Sequence, residues 1–112
     1  MAYKKVETLP NGHHEVKIYD LPVVSFSTEG EARYGEDYEL IRVYQTNPDG
    51  LKEGEEREYY WRPGLLSHAH KMLLTTSWKN GQKDGLLKIS CADYEEQPCA
   101  MKLYKEGKCL KT

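Results

Sequence analysis

Nine glycines, at positions 12, 30, 35, 50, 54, 64, 81, 85 and 107, cut this chain into short pieces, and each stands beside Asn, Asp, Glu or Pro. Those neighbours supply turn geometry, so the glycines read as bends between elements rather than as breaks inside them. Between the bends the sequence alternates. His14, Val16 and Ile18 share one side of "HEVKIY", and Leu40 and Arg42 alternate with Ile41 and Val43 in "YELIRVY". His70, Met72, Leu74, Thr76 and Trp78 line up in "HKMLLTTSW". A period of two means strands, and no window carries a sustained helical stripe. Only the segment from Gly64 to Ser77 competes as a helix. Its Thr75-Thr76 end favours extension, so the reading there is also strand. The expected fold is all-β: an antiparallel meander of hairpins forming a single sheet or flattened β-roll of roughly 6 to 9 short strands. With 112 residues it is one domain, 1–112.

Two of the bends are copies. Gly50 and Gly54 bracket three residues, as Gly81 and Gly85 do, and the two pairs are offset by the same 31 positions. A third, truncated start occurs at "YKEGKCL", where Tyr104 precedes Gly107 as Trp78 precedes Gly81. The clearest repeats run over 49–78 and 79–110. Self-similarity at a fixed period implies neighbouring hairpins, each too small to bury its own apolar face. The carriers Trp78, Asn80, Gly81, Gly85, Tyr104 and Gly107, with Asp49, Gly50, Gly54, Tyr59 and Gly64 before them, resemble the MORN-type repeat family and its bacterial antitoxin-like branch. The 31-residue spacing is longer than usual there, and the first forty or so residues align only loosely. The resemblance implies a meandering antiparallel sheet that acts as a binding module. It implies no catalytic residues.

Composition narrows the function classes. There are nine Tyr and two Trp, too many rings for a disordered chain. The N-terminal lysines are followed by no apolar run, and none anywhere approaches the ~20 residues of a membrane span, so a cytoplasmic protein is expected. Cys91, Cys99 and Cys109 are odd in number and irregular in spacing, which favours free thiols. The net charge of −2 hides an asymmetry: Glu29 to Tyr60 holds ten acidic against four basic residues, and Trp61 to the end holds nine basic against five acidic. Such a dipolar chain can dock a basic partner through its middle.

Chemical motifs are sparse. His68 and His70 are the metal candidates, since residues two apart on a strand share a face, but no third ligand stands at a patterned spacing, and neither a metal nor any other cofactor is expected. Ser67 adjoins His68, yet strand neighbours point to opposite faces and cannot form a nucleophile–base pair. The dense carboxylates Glu53, Glu55, Glu56 and Glu58 lack the wet-and-dry asymmetry of an acid–base pair. They read instead as a binding surface, with Tyr60 and Trp61 as aromatic anchors. Alternation sends Glu55, Arg57, Tyr59 and Trp61 to one face and Glu56, Glu58 and Tyr60 to the other.

The expectation is therefore a small non-enzymatic protein-binding module, an antitoxin, immunity or inhibitor protein that blocks a basic site on a toxin, nuclease or other target. A homodimer through a sheet edge is compatible with this. The alternatives are a metal-binding protein or enzyme using His68 and His70, and a single-stranded nucleic-acid binder using the lysine-rich C-terminal half. A pI near 6.1 and a scarcity of Arg in that half rank it lower.

Overall fold

In a computed structural model of the chain, which describes residues 2–64, 66, 68–94 and 97–111, five of the nine glycines form bends of two builds, while Gly54 and Gly85 lie within strands rather than between them. At Leu9–His13, Ser27–Glu31 and Asn47–Leu51 the first residue's carbonyl accepts from the fourth residue, Gly12, Gly30 or Gly50, at 2.9 to 3.0 Å. Its own N–H donates to the fifth residue's carbonyl at 2.7 to 2.8 Å. Each of these glycines has φ between 84° and 86°, the left-handed residue that closes a three-residue hairpin loop. The second build is tighter. Asn80-Gly81 (φ 48° and 80°) and Glu106-Gly107 (φ 51° and 86°) are two-residue loops with both residues at positive φ, the type I′ turn that matches strand twist.

These five turns alternate with other connections to join ten strands: β1 (Tyr3–Thr8), β2 (His14–Asp20), β3 (Val23–Phe26), β4 (Ala32–Tyr34), β5 (Glu39–Thr46), β6 (Gly54–Pro63), β7 (Ala69–Lys79), β8 (Gln82–Cys91), β9 (Ala100–Lys105) and β10 (Lys108–Lys111). Eight of them form one open antiparallel sheet in the order β1-β2-β5-β6-β7-β8-β9-β10. The meander is interrupted once. β3 and β4 pair with each other as a separate hairpin between β2 and β5, which pair directly, and β3 packs against β6 and β7. The segment that competed as a helix is strand from Ala69 onward, so the β-branched Thr pair prevails. Ser67 lies outside the described residues.

β7 is the spine. Its neighbours β6 and β8 run along most of its length, with Tyr59 opposite Leu73 on one side and Ser90 opposite it on the other. Leu73 is 1% exposed, and among the described residues Val16, Met72 and Leu87 complete the buried apolar set. Asn47, Glu56, Thr75, Thr76 and Ser90 are buried with them, so the shielded layer is as polar as it is greasy. A layer this thin goes with an open shape. The accessible surface is 7743 Å², against about 6,300 Å² for a compact monomer of this mass. The radius of gyration is 15.8 Å, against about 13 Å.

At Gly85 the β7–β8 ladder slips, and three residues, Asp84 to Leu86, stand opposite Ser77 alone. Gly85 has φ 103°, and a Cβ there would lie 3.1 Å from the Cβ of Ser77. Its counterpart Gly54 has φ 84° with open space around it. Gly85→Ala is therefore expected to destabilise by about 2–3 kcal/mol, and Gly54→Ala, which meets only the backbone penalty, by about 1–2 kcal/mol. Urea unfolding of the two variants checks the order; equal losses would mean that Ser77 yields freely.

Candidate functional site

Glu56 stands on β6 opposite Thr76 of β7, and its side chain is only 6% exposed. Four contacts converge on it. Arg42 of β5 donates from Nε to Oε2. Lys52, in the loop before β6, donates from Nζ to both oxygens at 3.0 and 3.1 Å. Trp78 of β7 donates from Nε1 to Oε1 at 2.9 Å. The cations are also held by rings: Lys52 Nζ lies 4.9 Å from the Tyr44 ring centre and 4.7 Å from that of Trp78, and Arg42 lies 5.3 Å from Tyr44. A carboxylate, two cations and two aromatic rings thus interlock across β5, β6 and β7.

Burial alone would push the Glu56 carboxyl up, but the hydrogen bonds from Arg42 and Lys52, with their charges, outweigh it and hold the group below the ordinary carboxylate value. For Arg42 burial likewise works against the charged form, and Glu56 more than compensates, so the guanidinium is held more firmly protonated. A carboxylate kept ionised and occupied by donors on both oxygens has no proton to give at neutral pH. The cluster is suited to hold strands, not to transfer protons.

The glycine repeat accounts for this placement. Gly81 N–H donates to the Lys52 carbonyl at 2.9 Å, and Gly107 N–H donates to the Lys83 carbonyl at 2.9 Å. Asn80 N–H donates to Glu53 at 2.8 Å, and Glu106 N–H points to Asp84 at 3.4 Å. Lys52 lies over Trp78 and Lys83 lies 5.0 Å from the centre of Tyr104. Each turn thus rests on the backbone of the unit before it, with a lysine laid across the next unit's ring. Residue 56 plus the repeat offset is Leu87, also buried, so one copy fills with leucine the position that the other fills with a carboxylate. Asn47 strengthens the first copy: its Oδ1 accepts from Asp49 and Leu51 N–H at 3.0 Å, and its Nδ2 donates to Asn80 Oδ1 at 3.2 Å.

The alternation along β6 is as the sequence implies, and the ladder puts Glu56, Glu58 and Tyr60 beside Thr76, Leu74 and Met72. The acidic cluster is largely spent inside the chain. Besides Glu53 and Glu56, Glu55 pairs with Arg57 at 3.4 Å and Glu58 with Arg42 at 3.6 Å. Tyr60 and Trp61 are half-buried. Lys71, bridged to Glu39 at 3.5 Å, lies over Tyr59 and Trp61. Among the described residues, the charges without an ion-pair partner include Glu29, Glu31, Glu36 and Asp37 around β3–β4, and Lys88, Lys102, Lys105 and Lys108 on β8–β10.

His68 and His70 meet edge to face with ring centres 4.9 Å apart. Among the described residues no three His, Cys, Asp or Glu side chains gather in a way that would hold a metal ion. Cys91 and Cys99 are free thiols, and Cys99 donates to the Ile89 carbonyl at 3.2 Å. No helix among the described residues is long and apolar enough to cross a membrane. No protein-family model, no curated protein and no solved structure matches this chain.

Proposed function

We propose that this chain is a small, non-enzymatic intracellular protein-binding module, an antitoxin, immunity or inhibitor protein of the MORN-type repeat kind that covers a basic site on its target. The observation that carries this reading is the open sheet. Its surface exceeds that of a compact monomer of equal mass by about 1,400 Å², more than the roughly 800 Å² each partner contributes to a standard interface. An edge-to-edge dimer is the weaker use of that surface. The outer strands β1 and β10 carry Lys4, Lys5 and Lys108, and β10 pairs irregularly, devices that discourage strand addition.

On this reading the acids that meet the partner are the unspent ones. Glu29, Glu31, Glu36 and Asp37 have charge to offer, whereas Glu55, Glu56 and Glu58 are already neutralised by Arg57, Arg42 and Lys52. With the partner isolated, replacing those four by the matching amides is expected to slow association and weaken binding on the order of tenfold at low salt, and to flatten the salt dependence. The same change at Glu53, Glu55 and Glu58 is expected to do less. Binding that ignores both salt and the four amides would remove the electrostatic core of the idea. One observation favours a second reading: the unpaired lysines of β8–β10 lie near Tyr104, which suits single-stranded nucleic acid. Titration of a fluorescent oligonucleotide, with its salt slope, separates the two.

A further inference from the structure

Among the described residues, two groups of charges without an ion-pair partner are each mostly of one sign, and each surrounds exposed apolar side chains. On β8 and β9, Leu86 stands opposite Leu103 and Lys88 opposite Met101, so these four share one face of the sheet. Lys105, two residues beyond Leu103, adds its charge to that face, with Lys108 opposite it on β10. Leu86, Met101 and Leu103 are 42, 44 and 38% exposed. The other group is the β3–β4 hairpin and the loop after it, where Val24, Tyr34 and Tyr38 are 57, 62 and 45% exposed. Glu29, Glu31, Glu36 and Asp37 surround them, with Arg33 as the single cation among them.

We propose that the chain associates with itself head to tail, the lysine-rimmed apolar face of β8–β9 in one copy seating on the acidic β3–β4 hairpin of a second. Each patch repels its own kind, because docking it on its twin would bring like charges together as water is excluded. The guarded edges β1 and β10 direct the contact to faces. Unlike patches satisfy both requirements at once, apolar area at the centre and opposite charge around it. Such a contact is heterologous: a copy added at one end leaves one patch of each kind free, so the assembly grows until it closes into a ring or runs on as a filament. The contact requires nothing of the partner proposed above. It covers the same acidic surface, so a more tightly bound basic partner would dissolve it.

Sedimentation of the full chain tests this. At low ionic strength the average mass is expected to climb with concentration past twice 13.0 kDa, and to return to monomer near 1 M salt, where the screening length is about 3 Å. Two charge-reversed chains sharpen the test, one with Lys88, Lys105 and Lys108→Glu, the other with Glu29, Glu31, Glu36 and Asp37→Lys. Each alone should remain monomeric, since both its patches then carry one sign. Their equimolar mixture should regain association, which also shows that both chains are folded. A wild-type chain that remains at 13.0 kDa up to about 1 mM would overturn the proposal. So would charge-reversed chains that associate as the wild type does.

Discussion

Truncating Glu56 to Ala is expected to destabilise the fold by about 3 kcal/mol, read as a lower urea midpoint at unchanged slope. Removing one member of a buried ion pair costs about 3–5 kcal/mol because the partners are left uncompensated. Here Arg42 and Lys52 keep side-chain exposures of 34 and 25%, so water recovers part of the loss and the lower end applies. Trp78 also loses its acceptor. Glu56→Gln keeps an acceptor and the shape but not the charge, and should cost about 1.5–3 kcal/mol at neutral pH. The acid dependence follows from the direction of the shift. The folded carboxyl titrates below its unfolded value of about 4.3, so its contribution is complete above that value and is lost as pH falls through the folded one. The wild-type and Gln curves should therefore converge below about pH 4. A difference that stays constant from neutral pH into acid would mean that the carboxylate gains nothing from its cations.

How this cluster escaped a reading of the sequence has a specific cause. Four glutamates within six residues look solvated, and period-two alternation assigns Glu56 a face but not its lateral neighbours. Those neighbours, Arg42 and Trp78, lie 14 and 22 positions away and are delivered by strand register. One signal was present. The 31-residue offset lays Glu56 on Leu87 and Lys52 on Lys83, which marks position 56 as interior and its charge as one in need of partners. The bends were legible for the opposite reason. Positive φ is a local demand, and Asn80-Gly81 or Pro48-Asp49-Gly50 announces it without help from the rest of the chain. The β3–β4 excursion was not, because pairing β2 with β5 across an intervening hairpin is a choice of topology that no window of residues encodes.

Leu73→Ala should be the most damaging apolar truncation, at about 2–5 kcal/mol. Buried apolar side chains are few, and Leu73 is the most completely enclosed of them, 1% exposed on the strand paired along both sides. Its backbone is fixed by β6 and β8, so the ladder cannot shift inward to fill the vacated space, and a cavity that cannot collapse is the costly kind. At about 4–8 °C per kcal/mol for a domain near this size, the melting temperature should fall by roughly 8 °C or more. Leu103→Ala, on the same face two strands away but 38% exposed, should alter stability by less than about 0.5 kcal/mol. Its effect should instead appear in association, where Leu103 lies at the centre of the lysine-rimmed patch. The pair of variants thus separates the leucine that holds the sheet together from the leucine that the sheet presents. Equal losses of stability from both would mean that the C-terminal face is covered within the monomer and is no docking surface.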